Sequence, residues 1–275
     1  MNNTNLAVSK ANKEFYDKEN KKNFIDGSPH LKHKEIKNLL KITIDGICNY
    51  NKKFSSQLKV LDLGSGNGEI TKFFLENDAF ITAVDISEVQ LNILKQNCSK
   101  YSNRIRLLVG DLNQDLNIID EYYDIILFSS ILHHIPNYLD LINRVIPKLK
   151  TNGQIFSFQD PLYYKSLNKF TKLFGKLSYY LWRITKKDLI GGFKRYIRRN
   201  KKNYNRNCKE DNIEYHVTRD GVNHLEISNL LTSKNFEVQI LKYFSTQNSF
   251  FQKLGTFLKL KNTFAIVAKK NNLKN

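Results

Sequence analysis

The sequence predicts an α/β fold: a seven-stranded, mostly parallel sheet with helices on both faces. Strand-like and helix-like segments alternate from residue 57 to residue 160 with short connections, which is the pattern of a parallel sheet covered by helices. The segment YDIILFSS, residues 123–130, is almost entirely apolar, as expected for a strand buried on both faces. Two further strand-like segments follow near the carboxyl terminus and complete the predicted sheet.

The predicted elements follow one another closely along the chain. Residues 29–49 carry aliphatic side chains at helical spacing. The predicted strands are 57–63, 80–85, 104–111, 123–130, 153–160, 236–244 and 262–270. The predicted helices between them are 71–77, 87–98 with Ser87 as its cap, 137–150, 162–186 and 224–236.

Composition restricts the class of protein. The chain has 275 residues and globular composition, the first fifteen residues are polar with no signal-peptide pattern, and no segment is apolar enough to span a membrane. The cysteines, Cys48, Cys98 and Cys208, are far apart and show no zinc-ligand spacing. These features predict a cytoplasmic protein with reduced thiols and no metal site.

Positive charge is concentrated in one segment. The formal net charge is +18, but residues 165–209 hold fifteen Lys or Arg and a single acid, a net charge of +14. Such a segment predicts an anionic partner, for which an anionic small molecule, an anionic membrane surface and RNA are the alternatives. A solvated face and a general lysine bias of the sequence are the plainer explanations.

A glycine-rich turn follows the first strand of the sheet. Its sequence, LDLGSGNG, has the spacing G-x-G-x-G, whereas dinucleotide sites use G-x-G-x-x-G and phosphate loops end in Gly-Lys-Ser/Thr. No Lys or Arg accompanies the turn, and Asp62 and Glu69 flank it, so a polyphosphate would be repelled. The turn therefore predicts a ligand that approaches the backbone closely and carries positive charge.

Three more polar residues follow other strands of the predicted sheet. Asp85, Asp111 and Ser129 lie at or near strand ends, which converge at one edge of a parallel sheet. A carboxylate at Asp85 can accept both hydroxyls of a ribose, and one at Asp111 can accept an adenine amine. Together with the turn, these residues predict a site for adenosine with a positively charged tail.

These motifs resemble those of the class I S-adenosylmethionine-dependent methyltransferases that act on small molecules. LDLGSGNG is similar to their first motif, VDIS to their ribose-binding motif, VGDL to their adenine-side motif and YDIILFSSILHHI to their fourth. The resemblance implies S-adenosyl-L-methionine as cofactor and a sheet order of 3-2-1-4-5-7-6 with the last strand antiparallel. The implied cofactor-binding residues are Asp62, Gly64, Ser65, Gly66, Asn67, Gly68, Asp85, Ile86, Asp111, Leu112 and Ser129.

The alternation of strands and helices favours a single domain, residues 1–275, with distinct parts. Residues 1–50 would form an N-terminal helical cap and 57–160 the cofactor-binding core. Residues 161–221 would form a basic helical lid inserted between the fifth and sixth strands, and 222–270 would complete the sheet.

Candidate catalytic and substrate-binding residues lie around this core. Of the adjacent His133 and His134, at most one is expected to face the methyl acceptor; we favour His133 as general base, the alternative being that it only lines the cofactor site. The predicted substrate-binding residues are Tyr16, Asp160, Tyr163, Tyr215, His216 and Arg219.

Three functional hypotheses remain open from the sequence. The first is methyl transfer to a small or medium-sized, possibly anionic metabolite or glycan or natural-product precursor, at oxygen. The second is an RNA methyltransferase that holds its substrate with the basic segment. The third is an S-adenosylmethionine-binding module without catalytic activity. The acceptor itself and the oligomeric state are not determined by the sequence.

Overall fold

The computed structural model describes residues 3–18, 25–114, 121–185, 212–213 and 220–271. Its centre is a seven-stranded sheet with the order β3-β2-β1-β4-β5-β7-β6. The strands are β1 (Lys59–Leu63), β2 (Phe80–Asp85), β3 (Ile105–Val109), β4 (Tyr123–Ser129), β5 (Leu149–Pro161), β6 (Phe236–Tyr243) and β7 (Thr263–Lys270). β7 pairs antiparallel with both neighbours and the other pairings are parallel. The predicted fold class and sheet order are confirmed.

Helices cover the sheet and extend beyond its carboxyl edge. Those preceding β5 are α1 (Asn3–Tyr16), α2 (Pro29–Lys32), α3 (Lys34–Asn51), α4 (Thr71–Glu76), α5 (Glu88–Asn97) and α6 (Tyr138–Val145). Those following β5 are α7 (Lys169–Thr185), α8 (His224–Ser233) and α9 (Ser249–Phe257). Short 3₁₀ turns at Ser99–Arg104, Leu132–His134, Ile146–Lys148 and Tyr164–Ser166 complete the connections.

The hydrophobic core forms one layer on each face of the sheet. Alternate residues of a strand point to opposite faces, so Leu61 and Val60 of β1 belong to different layers. One layer packs α6 and α8 against the sheet, and the other packs α3, α4 and α5. β4 is buried along its whole length, as its apolar sequence predicts.

Several helix boundaries differ from the sequence prediction. The predicted helices 137–150 and 224–236 end early, at Val145 and Ser233, and the following strands begin at Leu149 and Phe236.

Two other differences are larger. The predicted helix 162–186 begins only at Lys169. Leu162 instead forms a β-bridge with Val222, and the backbone N–H of Tyr164 donates to the backbone carbonyl oxygen of Asp220. The predicted helix 29–49 is divided at His33, whose backbone is extended. The first of these departures comes from tertiary contacts that helical periodicity does not encode. The helix α9 is absent from the sequence prediction.

The parallel arrangement positions the functional edge of the sheet. The carboxyl ends of β1, β2, β4 and β5 lie at one edge, and the chain leaves that edge each time to form a helix or a turn. The residues that follow these strands therefore face a common space.

Candidate functional site

The glycine turn after β1 borders that space. Gly64 and Gly68 have φ angles of +74° and +83°, a backbone region that residues other than glycine rarely adopt. A Cβ atom on Gly64 would lie 2.6 Å from Cγ1 of Ile131, and one on Gly68 would lie 2.6 Å from Cγ of Leu94. The turn therefore needs glycine both for its conformation and for its close packing.

A cleft that is partly open to solvent lies along the carboxyl edge of the sheet. It brings together most of the residues predicted from the sequence. Those that line it are Tyr16, Asp62, Gly64, Ser65, Gly66, Asn67, Asp85, Ile86, Asp111, Leu112, Ser129 and His134.

Other predicted residues lie elsewhere. Gly68, His133, Asp160 and Tyr163 are not part of the cleft lining. The packing of Gly68 against Leu94 is sufficient to explain its glycine. Tyr215, His216 and Arg219 lie outside the described residues.

The acid at the end of β2 is held by backbone donors. One carboxylate oxygen of Asp85 accepts from the N–H of Gly66 at 2.8 Å, and the other accepts from the N–H of Ser87 at 2.9 Å. Burial raises the pKa of Asp85 and these hydrogen bonds oppose the rise. Asp85 therefore connects the glycine turn to the start of α5, with its carboxylate in the cleft.

A second acid lies beneath the glycine turn. Burial raises the pKa of Asp62 to about 7, the hydroxyl of Thr71 donates to it at 2.6 Å and lowers its pKa, and nearby Asp85 raises it. Two carboxyl groups thus share one buried part of the cleft. A ligand with a positive charge would favour the ionised form of both.

The raised pKa of Asp62 predicts a pH dependence of stability. Asp62 binds its proton more tightly in the folded protein than at its ordinary pKa of 3.8, so its contribution to stability is complete below about pH 4 and is lost as the pH rises to about 7. Asp62→Asn should remove this loss and make the ligand-free protein more stable at neutral pH. Denaturant unfolding between about pH 4 and pH 7 would measure the free energy of unfolding of both proteins. Asp78→Asn, a change at an exposed acid, is the control. Equal pH slopes in wild type and Asp62→Asn would contradict the prediction.

The N-terminal helix α1 covers the cleft. The hydroxyl of Ser9 donates to Asp111 at 3.0 Å, and Ser9, Asn12 and Tyr16 all line the cleft. Sequence reasoning missed Ser9 and Asn12 because this segment is polar. The available signal was their spacing: Ser9, Asn12 and Tyr16 are three and four residues apart, which places them on one helical face.

Several buried polar atoms in the cleft have no hydrogen-bond partner among the described residues. They are Oδ1 of Asn12, Nδ1 of His30, Oγ of Ser65, Oδ1 of Asn67, Oδ1 of Asn113 and Oγ of Ser129. Buried polar groups are rarely left unsatisfied in folded proteins. Their concentration at this one place indicates a site for a ligand with many polar groups.

His134 lies in the cleft wall with both ring nitrogens engaged. Nδ1 lies 3.0 Å from the carbonyl oxygen of Ile213, which can only accept, so Nδ1 carries the proton. Nε2 then accepts from the hydroxyl of Tyr16 at 3.0 Å. This arrangement connects α1 to the loop that follows β4. It also engages the lone pair of Nε2, which a general base would need.

His133 has a different partner. Its Nδ1 lies 2.8 Å from Oδ1 of Asp160, and its backbone N–H donates to the same oxygen at 3.1 Å. Asp160 is fully buried and also accepts from Ser157. Asp160 thus orients the ring of His133. Its predicted contact with a substrate stays a prediction.

A third imidazole belongs to the same cluster. His30 of α2 lines the cleft, is buried beside Phe158 and is close enough to His133 for their charges to interact. Burial, with a smaller contribution from His133, lowers the pKa of His30 to about 3, so it is neutral at physiological pH. In the sequence prediction His30 belongs only to the N-terminal helical cap, because nothing local connects it to residues a hundred positions away.

The described part of the chain contains no candidate metal-binding site. No group of three or more His, Cys, Asp or Glu residues there could hold a metal ion. Nor is any described helix both long enough and apolar enough to cross a bilayer.

Comparison with known proteins identifies the domain. Residues 60–153, which contain the glycine turn, the strand-end acids and the two adjacent histidines, match the family model described as a methyltransferase domain. This part of the chain is a methyltransferase domain. A solved structure of the plantazolicin methyltransferase BpumL in complex with SAH resembles it over 97% of this chain and 96% of that one, with a TM-score of 0.55. At 16% identity this likeness concerns the fold.

Curated relatives match the methyltransferase domain over its core. The ubiquinone biosynthesis O-methyltransferase of Photobacterium profundum is 24% identical over 98 residues, covering 36% of this chain and 42% of the relative. The demethylmenaquinone methyltransferase of Tropheryma whipplei is 30% identical over 97 residues, covering 35% and 39%. The chain thus matches about two fifths of the length of these relatives.

Proposed function

We propose that the protein transfers a methyl group from S-adenosylmethionine to an oxygen atom of a small-molecule acceptor. The observation that carries the proposal is the cleft, which combines a glycine turn, buried acids and unsatisfied polar atoms with a neighbouring pair of His133 and Asp160. The family match and the methyltransferases among the relatives support it.

The cleft residues fit the proposed cofactor. The acids Asp62 and Asp85 suit a ligand whose sulfonium and ammonium groups are positive. Burial raises the pKa of both carboxyl groups, and a positive ligand would offset the free-energy cost of ionising them there. Asp85 is suited to the ribose hydroxyls and Asp111 to the adenine amine. The unsatisfied Ser65, Asn67 and Ser129 can supply further hydrogen bonds.

The chain's own residues would orient the acceptor and remove its proton. S-adenosylmethionine, when bound, supplies an activated methyl group. Nε2 of His133 takes the proton of the acceptor hydroxyl, and the carboxylate of Asp160 stabilises the resulting imidazolium. His133 suits this role better than His134, because the lone pair on Nε2 of His134 is already engaged by the hydroxyl of Tyr16.

The acceptor is expected on the histidine side of the cleft. His30, Leu31 and Ile135 line that side and give it a mixed apolar and polar character. Such a wall suits an aromatic or conjugated metabolite with a hydroxyl group, and two of the curated relatives act in quinone biosynthesis by name. An RNA acceptor and an anionic acceptor both depend on the basic segment, most of which lies outside the described residues, and stay predictions.

Two measurements test the proposal. Calorimetry on the purified protein should give micromolar binding of S-adenosylmethionine and no comparable binding of NAD or ATP. Labelled S-adenosylmethionine incubated with cell extract should then place label in a solvent-extractable metabolite fraction. Label in RNA would favour the RNA methyltransferase, and cofactor binding without any labelled product would favour a non-catalytic module. Binding of NAD or ATP alone would refute the proposal.

A further inference from the structure

The helix α7 exposes its apolar face. It begins after Asn168, whose side chain accepts from the N–H of Thr171 at 2.7 Å. Large apolar side chains recur along it at steps of three and four residues, which places them on one side. All of them are exposed: Phe170, Leu173, Leu177, Leu181 and Ile184. Leu173 and Leu177 retain 66% and 52% of their accessible surface.

A different side of α7 packs on the domain. Thr171 and Ser178 are buried, and the hydroxyl of Ser178 is hydrogen bonded to that of Thr246. Between them Phe174 contacts Phe244 and Phe251, with ring centroids 5.5 Å and 5.1 Å apart. The helix is therefore held by its small polar residues and Phe174, and its aliphatic residues point away from the core.

The helix α9 extends the same apolar surface. Phe250 and Phe257 are 68% and 81% exposed and lie two helical turns apart, hence on one side. Aromatic contacts run without interruption from Phe170 through Phe174 and Phe251 to Phe250. We call this surface the lid face; it consists of Phe170, Leu173, Leu177, Leu181, Ile184, Phe250 and Phe257.

Basic residues border the lid face. Lys169, Lys172 and Lys176 of α7 lie on the flank opposite the packed side, according to the rotation of 100° per residue. α7 itself belongs to the segment 165–209, whose net charge is +14. An apolar stripe with a lysine flank is the composition of a helix that lies in the plane of a bilayer surface.

We propose that the lid face docks on an anionic lipid bilayer. Aliphatic and phenylalanine side chains enter the boundary between headgroups and acyl chains, while the lysines meet anionic headgroups. A second copy of this chain fits less well, because it would bring another strongly basic segment against the first. RNA also fits less well, because leucine and isoleucine side chains offer it neither charge nor a stacking surface.

The lid face is connected to the cleft through one loop. Thr246, whose side chain is hydrogen bonded to Ser178 of α7, also accepts through its carbonyl from Nε2 of His33 at 2.8 Å. His33 directly follows α2, which carries His30 in the cleft wall. Docking would therefore place the bilayer beside the histidine side of the cleft.

Vesicle sedimentation tests the inference with a pair of charge-matched variants. The wild type should sediment with vesicles of phosphatidylcholine and phosphatidylglycerol and much less with phosphatidylcholine alone. Leu173→Lys/Leu177→Lys adds two positive charges but removes two inserting side chains, so its partition coefficient should fall by on the order of 10²-fold. The control Ile42→Lys/Leu225→Lys adds the same charge at exposed apolar positions on α3 and α8 and should bind like the wild type or better.

Other occupants of the lid face predict different results. If binding were purely electrostatic, both double variants would bind anionic vesicles more tightly than the wild type, and the inference would be wrong. A wild-type dimer in sedimentation equilibrium that Leu173→Lys/Leu177→Lys makes monomeric would assign the face to a second copy instead. Failure of the wild type to bind anionic vesicles would likewise overturn the inference. S-adenosylmethionine binding and circular dichroism confirm that each variant is folded, and neither depends on the outcome with vesicles.

Discussion

Replacing His133 with alanine should lower the turnover number by ~10²–10⁴-fold and leave the affinity for S-adenosylmethionine nearly unchanged. The physical reason is that Asp160 holds His133 through Nδ1 and so orients Nε2, the proposed proton acceptor, whereas His133 is not part of the cleft lining around the predicted cofactor residues. Initial rates with the acceptor found by the labelled-donor screen would measure the turnover, and calorimetry the affinity.

Asp160→Asn distinguishes a catalytic pair from two separate structural contacts. The asparagine amide can present a donor to Nδ1 and so favour the wrong tautomer of His133. Asp160→Asn alone should therefore lower the turnover number, but it should add little in a protein that already carries His133→Ala. Independent, additive losses would contradict the pair.

A buried histidine outside the cleft provides the control for these variants. His224 of α8 is buried against Phe264 and is not part of the cleft lining. His224→Ala should reduce stability without changing the turnover number per folded molecule. If His133→Ala turned over like the wild type, His133 would not be the base, and an amine acceptor, which needs less assistance, would become the better hypothesis.

Replacing Asp85 with alanine should weaken S-adenosylmethionine binding by roughly 10²–10⁴-fold. The change removes two hydrogen bonds to a charged acceptor, each contributing about 1.5–3 kcal/mol when its partner is left unsatisfied. The backbone donors Gly66 and Ser87 already fix the carboxylate in the ligand-free protein, so the cofactor meets a preorganised group. Calorimetry of the two proteins would measure the difference.

The matched control for Asp85 lies at the opposite edge of the sheet. Asp124 is also a nearly buried acid on a central strand, and it accepts from the N–H of Lys59 and from the ammonium group of Lys150. Asp124→Ala should lower the melting temperature and leave cofactor affinity intact. Equal losses of affinity in both variants would indicate a general effect on folding rather than a ribose contact.

The sequence by itself was sufficient for the sheet and for the side of the cleft that the glycine turn borders. The strand pattern is local, and the glycine turn, Asp62 and Asp85 each lie within a few residues of a strand end. Since parallel strands end at one edge, local position already implied that these residues meet. The fold class and sheet order were confirmed on this basis.

Other parts of the site required the tertiary structure, because their partners are distant in sequence. Ser9 reaches Asp111 across 102 residues and Tyr16 reaches His134 across 118 residues. The orienting role of Asp160 also depends on how the loop after β4 folds onto β5. No periodic pattern in the sequence predicts these contacts.

The same distinction applies to α7. Its sequence determined an apolar stripe beside lysines, but an amphipathic helix can turn that stripe toward a core or toward a partner. Contacts of Phe174 and Ser178 with the segment around Phe244 and Thr246 decide the orientation, and they leave the aliphatic residues exposed. Periodicity specifies which residues share a face of a helix, whereas only the packing of distant segments specifies where that face points.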